Sequence, residues 1–488
     1  MPIFLGGDIQ VTSEPSRVYQ FSEFVLGDPD RPQYLRDLSL EYLTFPRHTS
    51  AVVRHKITGR LAELLSQARN LKRLHITSVE DFLESDQRLA TAIASLRALE
   101  RIGFYGVGDR AFDMVTAINC AVTYSDVGFI GDVPVVGEQS TVRKRDPIPM
   151  LANFHETLTE LKIHWSDPPG TSYAYPFVTA LFIEGTSVDV AMLAHCFPNL
   201  THLTLAASPY QYMEELDDAR HKNQEASPAS WETLYVLTCG ILPSYALGLS
   251  FTKVRVWVGA VMDLLEDLPK FYTVLEDIRP SHLKLTVACG HLGLQFTDLD
   301  LFFSPPGVSH LDIRLDIYGT DAPMADLMRY IETWITNSSL KFLNLRVVLP
   351  SSRPHGLGDQ LDDTENQSVE TESAPDDGDA TVQIHDQVDD GDFHTDSETS
   401  DASELYIPRS IVAPDPTKDY VRNMDLEAYA RELVRASPQL RHVFLQFPGI
   451  HPNLFWSVEE GDEGGGEMKL RALSEKEGWD ILRQQSFL

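Results

Sequence analysis

The sequence predicts an α/β fold of stacked strand–helix units, with parallel strands on a concave face and helices outside. Three features of the 488 residues carry that expectation. A short phrase recurs in which an apolar residue is followed by two variable positions, an apolar, one variable and an apolar. Each phrase ends in period-two alternation, the pattern of a strand with one buried face. Segments with helical spacing separate the phrases, and the mean interval from Leu35 to Leu340 is about 28 residues, counting the long gap after Leu99 as two.

In chain order the phrase reads Leu35-Leu38-Leu40, Leu71-Leu74-Ile76, Leu99-Ile102-Phe104, Leu158-Leu161-Ile163, Val178-Leu181-Ile183 and Leu200-Leu203-Leu205. It continues as Trp231-Leu234-Val236, Phe251-Val254-Val256, Pro280-Leu283-Leu285, Val308-Leu311-Ile313, Leu340-Leu343-Leu345 and Leu440-Val443-Leu445. A degenerate copy near Val122–Tyr124 fits the long gap. Helices are expected at Val52–Leu65, Leu89–Leu96, Val190–His195, Val261–Leu275, Met324–Ile335 and Leu426–Val434. A strand written L-x-x-L-x-L followed by a helix is the leucine-rich-repeat signature, and such units bury their apolar edges only by stacking. The expected fold is therefore a leucine-rich-repeat solenoid, a horseshoe. Three positions after each phrase a consensus repeat carries Asn or Cys. Only Cys239 does so here, against Val79, Val107, Ser166, Thr186, Ser208 and Asp316, so the expected horseshoe is irregular.

Charge divides the chain further. Residues 351–405 hold 17 acidic side chains and one basic one, Arg353, half of the overall −32. Such a segment repels itself and lacks the apolar surface to offset ordering entropy, so it is expected to be a disordered acidic insertion. The expected organisation is 1–34 as an N-terminal cap or remnant first repeat, 35–350 as the repeat array, 351–405 as the insertion, 406–456 as the last repeat, and 457–488 as an acidic Gly-rich loop and tail. Strong acidity disfavours nonspecific nucleic-acid and anionic-membrane binding. No apolar run reaches the roughly 18 residues of a membrane span, and the N-terminus lacks a signal-peptide pattern. The four cysteines (Cys120, Cys196, Cys239, Cys289) lie 76, 43 and 50 residues apart, which suits neither a disulfide framework nor a zinc knuckle. A cytoplasmic or nuclear location is expected.

The segments 30–40 (Asp-Arg-Pro-Gln-Tyr-Leu-Arg-Asp-Leu-Ser-Leu), 197–205 (Phe-Pro-Asn-Leu-Thr-His-Leu-Thr-Leu), 437–445 (Ser-Pro-Gln-Leu-Arg-His-Val-Phe-Leu) and the tail 473–478 (Leu-Ser-Glu-Lys-Glu-Gly) resemble fungal, basidiomycete-type F-box/leucine-rich-repeat proteins. The resemblance covers most of residues 15–488. It implies a substrate-recruiting function in ubiquitin transfer, with an F-box bundle binding a Skp-type adaptor. The residues before the first repeat strand contain no Leu-Pro-x-Glu-type opening and no Trp-rich helix, so the F-box itself, and with it adaptor binding, is not expected from them.

Catalytic patterns are weak. Gly103-Phe-Tyr-Gly106-Val-Gly108 has the wrong order for a dinucleotide loop and reads as a turn leaving a strand. Cys289-Gly-His291 has no second ligand pair nearby, Gly248-Leu-Ser250 lacks the second glycine of a nucleophile elbow, and Arg143-Lys-Arg145 is short for a localisation signal. No catalytic residue, metal or cofactor is expected. The variable positions of the phrases instead suggest a cation-rich groove lined by Arg36, Lys72, Arg73, His75, Arg101, Lys162, His202, Lys253, Arg255, His282, Lys284, His310, Lys341, Arg441 and His442. The expected function is a non-catalytic protein-interaction module for an acidic protein partner. A leucine-rich-repeat regulator of another enzyme, such as a GTPase-activating protein, or a scaffold unrelated to ubiquitin ligases is the alternative.

Overall fold

A computed structural model describes residues 8–12, 14–41, 45, 49–130, 146–164, 173–184, 189–206, 216–225, 231, 234–249, 254–262, 267–289, 307–318, 323–336, 338–349, 415–460 and 468–485. The chain divides into two units, Met1–Leu349 with Pro416–Leu488, and Pro350–Asp415. The expected acidic insertion, Lys253, His291 and the Arg143–Arg145 triplet lie outside the described residues.

The first unit is α/β, built on one open 16-stranded sheet whose strands follow one another in sequence order. They are β1 (Asp8–Thr12), β2 (Asp37–Glu41), β3 (Arg73–Ile76), β4 (Arg101–Val107), β5 (Tyr124–Phe129), β6 (Glu160–His164), β7 (Ala180–Glu184) and β8 (His202–Ala206). Then come β9 (Val236–Cys239), β10 (Val256–Met262), β11 (His282–Cys289), β12 (His310–Ile317), β13 (Phe342–Val348), β14 (His442–Gln446), β15 (Leu454–Glu460) and β16 (Met468–Ala472). Pairing is parallel from β1 to β14 and antiparallel for the last two pairs. The described helices are α1 (Pro15–Leu26), α2 (Ala51–Gln67), α3 (Val79–Ser85), α4 (Arg88–Ala94), α5 (Asp109–Ala117), α6 (Pro147–Met150), α7 (Val190–Cys196), α8 (Leu216–Glu225), α9 (Ile241–Leu247), α10 (Leu268–Ile278), α11 (Met324–Ile335), α12 (Pro416–Asn423), α13 (Leu426–Ala436) and α14 (Glu475–Gln485).

The phrase explains which way each strand faces. Leu38 pairs with Leu74, Leu74 with Ile102, and Leu161 with Leu181 and onward to Leu203, so the apolar positions form continuous rows across the sheet. These rows join the buried side chains of the helices from α1 to α13 in one apolar cluster, except that α8 contributes only Asn223 and packs on α9. Parallel strands need such a covering layer on the face they bury. Local chemistry starts the helices. Ser50 caps α2, Asp189 caps α7 and Asp425 caps α13, each accepting from a first-turn backbone N–H. The Glu80 carboxylate reaches the first turn of α5, accepting from the N–H groups of Gly108, Arg110 and Ala111 at 2.9–3.1 Å.

Several expectations need correction. The phrases at β9 and β10 are displaced by three residues. Val236 pairs with His202, not Leu203, so the inward positions are Leu237 and Cys239 in β9 and Trp257 in β10. Two overlapping apolar triads fit the pattern there, and fuller burial of Leu237 and Trp257 selects the second. Cys239 is therefore a core residue within a strand, not a ladder residue beyond it. The helix expected at Val261–Leu275 begins only at Leu268, because Val261 and Met262 extend β10 and Pro269 sits in the first turn of α10. The segment ahead of Leu35, expected as a cap or remnant first repeat, contains β1, paired in parallel with β2. The expected tail contains β16 and helix α14, and β15 spans the boundary between the expected last repeat and the loop.

The missing Asn ladder has a substitute at the opposite, entry end of the strands. There the backbone carbonyl of Thr123 accepts both the N–H and the hydroxyl of Thr159 at 2.9 Å. The carbonyl of Thr179 does the same for Thr201 at 2.9 Å. Ser309 donates likewise to Ser281, and Thr123 to Glu100. A short hydroxyl side chain one residue before β5, β6, β8 and β12 thus stitches each of these strands to its neighbour.

Candidate functional site

The residues that alternate with the buried rows stand on the other face of the sheet, away from helices α1 to α13. Of the cationic residues expected to line a groove, Arg73, His75, Arg101 and Lys162 come together there on β3, β4 and β6. Five others, Arg36, Lys72, Arg255, Lys341 and Arg441, each precede the first residue of their strand. Arg36 donates to the Asn70 carbonyl at 3.1 Å, Lys72 pairs with Glu100 at 2.7 Å, Arg441 lies 3.6 Å from Glu460, and Arg255 sits over the Tyr235 ring. His202 is exposed at the start of β8. His282, Lys284, His310 and His442 belong to the far end of the sheet.

Between β1 and β5 the face holds a polar hollow of about 240 Å3, lined by Gln10, Ser39, Glu41, Arg73, His75, Arg101, Gly103, Tyr124 and Asp126. Its floor depends on glycine. A Cβ at Gly103 would stand 2.2 Å from Nδ1 of His75, and one at Gly128 would stand 2.7 Å from Cδ1 of Tyr105. Each ring therefore lies across the neighbouring strand because that strand offers no side chain. The glycine-rich run read as a turn leaving a strand is in fact mostly strand, since Gly103 to Val107 belong to β4. Arg73 and Arg101 are register partners. Like charges side by side are unfavourable, and the Arg101 guanidinium stacks 4.3 Å from the centre of the Tyr124 ring, which offsets part of that cost. Burial holds the His75 imidazole below its ordinary range, in the neutral form at neutral pH.

A hydrogen-bonded network extends the hollow over β5, β6 and β7. Asp126 accepts from the Tyr105 hydroxyl at 2.8 Å and from the Tyr124 hydroxyl at 3.2 Å. The His164 ring spans two carboxylates, Nδ1 to Glu184 at 2.6 Å and Nε2 to Asp126 at 3.2 Å. Burial opposes the imidazolium, but hydrogen bonds to Asp126 and Glu184 outweigh it and raise the His164 pKa. Burial likewise pushes the Asp126 carboxyl up, yet the bonds from His164 and Tyr105 prevail and hold it below its ordinary range. Both ring nitrogens of His164 are engaged, and the Tyr105 hydroxyl also lies 3.1 Å from Nε2. The network fixes these side chains relative to one another.

At the far end His282 and His310 stack with ring centroids 3.9 Å apart, and each Nδ1 lies 2.8 Å from the hydroxyl of the preceding serine. The same hydroxyls lie 3.2 and 3.1 Å from the carbonyls of Arg255 and Ser281. Burial, then the proximity of His310 and Arg255, brings His282 down to about 4. Among the described residues no cluster of three or more His, Cys, Asp or Glu side chains could hold a metal ion, and Cys289 is buried in β11.

The alternation rule was able to find Tyr105, Tyr124, Asp126, His164 and Glu184. They were missed because Tyr124 and Asp126 belong to the degenerate copy, while Tyr105, His164 and Glu184 follow the last apolar position of their phrases. No family model matches the chain, and no curated protein matches it. No helix among the described residues is long and apolar enough to cross a membrane.

Proposed function

We propose that this chain is a non-catalytic recognition module of leucine-rich-repeat type, holding a protein partner against the open sheet face over β2 to β7. The observation that carries the reading is the pairing of Arg73 and Arg101 at the mouth of a glycine-floored polar hollow, on the face that helices α1 to α13 leave free. An acidic side chain of the partner is received by these two guanidinium groups, since Arg presents a planar fork suited to carboxylates. Tyr105, Tyr124, His75 and the Asp126–His164–Glu184 bridge keep the hollow's walls in place before the partner arrives, which lowers the ordering cost of binding. The recurring phrase, the sequential parallel strands and the entry-end hydroxyl ladder support the repeat reading. By resemblance to F-box/leucine-rich-repeat proteins, the partner is a substrate presented for ubiquitin transfer. The test is selection of acidic peptides on the intact chain, followed by binding measurements with Arg73→Glu and Arg101→Glu. Loss of binding in both variants is expected, and undiminished binding would overturn the placement.

A further inference from the structure

All buried apolar residues of the described chain except Val236 and Val256 fall into two clusters. The large one unites the sheet with helices α1 to α13, and the small one consists of Phe342, Phe444 and Phe455 covered by Leu473, Trp479, Ile481 and Leu482. Phe444 stands between Val443 and Leu445, both members of the large cluster, so strand alternation puts its ring on the opposite, open face. There the three phenylalanines meet edge to face, with centroids 5.0 and 4.8 Å apart, and the Trp479 ring lies 5.7 Å from Phe455.

Helix α14 is the element that covers them. Its one fully buried residue is Gly478, and a Cβ there would stand 2.2 Å from Cγ of Phe455. A glycine inside a helix is unfavourable for the helix itself; here it lets the backbone rest directly on an aromatic ring. The helix supplies its own start, because Ser474 and Glu477 form a reciprocal capping box, the Ser474 N–H donating to the Glu477 carboxylate at 2.9 Å and the Glu477 N–H to the Ser474 hydroxyl at 3.3 Å. At its last turn Leu482 and Gln485 border a slot whose other walls include Val256, Val258, Lys284, Asp312 and the stacked His282–His310 pair.

We infer that the open face over β13 to β15 is a second docking groove, built for an amphipathic helix with glycine at its crossing point, and that α14 is its intramolecular ligand. A partner helix of the same chemistry replaces α14. The separate cluster, the single buried residue and the self-capped start make α14 a unit that can leave without opening the main core. Because tethering holds α14 at an effective concentration near millimolar, a free helix competes only when α14 is weakened or the partner's contact is more extensive. This inference is independent of what occupies the hollow over β2 to β7.

The test compares the intact chain with its Gly478→Ala variant by hydrogen exchange, and adds a synthetic peptide of residues 473–485. Alanine raises the peptide's own helicity yet collides with Phe455. In the variant chain, exchange in 475–485 should accelerate about tenfold while β13 and β14 stay unchanged. The variant chain should bind the native-sequence peptide saturably and the Gly478→Ala peptide about tenfold more weakly. Unchanged exchange in 475–485, acceleration shared by β13 and β14, or release of the helix without uptake of the peptide would each overturn the inference.

Discussion

Replacing Asp126 by Asn removes one charge from the bridge while keeping its shape. Asp126 accepts three hydrogen bonds, from Tyr105, Tyr124 and His164. Asn keeps one acceptor oxygen and turns the other site into a donor, which faces donors already present. The side chains of His164 and Asp126 are only 13% and 15% exposed, so solvent repairs little of the loss. Removing one partner of a buried pair costs about 3–5 kcal/mol; because Glu184 still holds the other ring nitrogen, we expect about 2–3 kcal/mol. The pH dependence is diagnostic. His164 has a folded pKa raised above 6.5, so its stabilisation is complete below that value and is lost as pH rises through the folded pKa. Asp126 has a folded pKa lowered below 3.8, so its stabilisation is present above 3.8 and is lost as pH falls through the folded value. The penalty of Asp126→Asn should therefore peak between those limits and shrink at alkaline pH to about 1 kcal/mol, that of a neutral hydrogen bond. Urea denaturation of both proteins at about pH 5 and about pH 9 measures it. Equal penalties at the two values would refute the imidazolium bridge.

Three further outcomes follow from named contacts. Gly103→Ala should cost about 1–3 kcal/mol by forcing the His75 ring aside, and His75→Ala added to it should recover part of that loss in a denaturation double-mutant cycle. Thr159→Val and Thr201→Val should each cost about 0.5–1.5 kcal/mol in the same assay, with Thr179→Val costing less because its hydroxyl contact is 3.5 Å long. Burial raises the Cys239 and Cys289 thiols to about 12 and Cys196 to about 11, while Cys120 is only partly buried; a thiol reagent near neutral pH should modify Cys120 first and the other three only on unfolding.

The strand rows were readable because burial on one face imposes period two, and a register slip would turn every leucine outward. That logic located β2, β3, β4, β6, β7, β8 and β11 to β14 directly. It slipped at β9 and β10, where Trp231 and Phe251 offered a competing triad and only packing chose Leu237 and Trp257. Three of the residues lining the hollow, Arg73, His75 and Arg101, were readable, as was Lys162 beside it. The rest depended on cross-strand neighbours, since nothing in the run around Gly103 says that a histidine from the preceding strand will lie over it. The expected stripe of cations also counted the position before each strand, where Lys72 pairs with Glu100, Arg441 lies near Glu460, and hydroxyl residues serve β5, β6, β8 and β12. The apolar residues of the tail, Leu473, Trp479, Ile481 and Leu482, suggest that it packs, but the three phenylalanines they cover are visible as a cluster only once β13, β14 and β15 are side by side.

The most direct test of the recognition reading is a comparison of two charge reversals against one acidic peptide selected on the intact chain. Arg73→Glu with Arg101→Glu alters the mouth of the hollow, whereas Lys341→Glu with Arg441→Glu alters the strand-entry edge by the same formal charge. Affinity should fall at least about tenfold in the first pair and stay within about twofold in the second, measured at the ionic strength of the selection because salt screens exposed charges. Equal losses in both pairs, or a loss confined to Lys341 and Arg441, would contradict a binding site centred on β3 and β4.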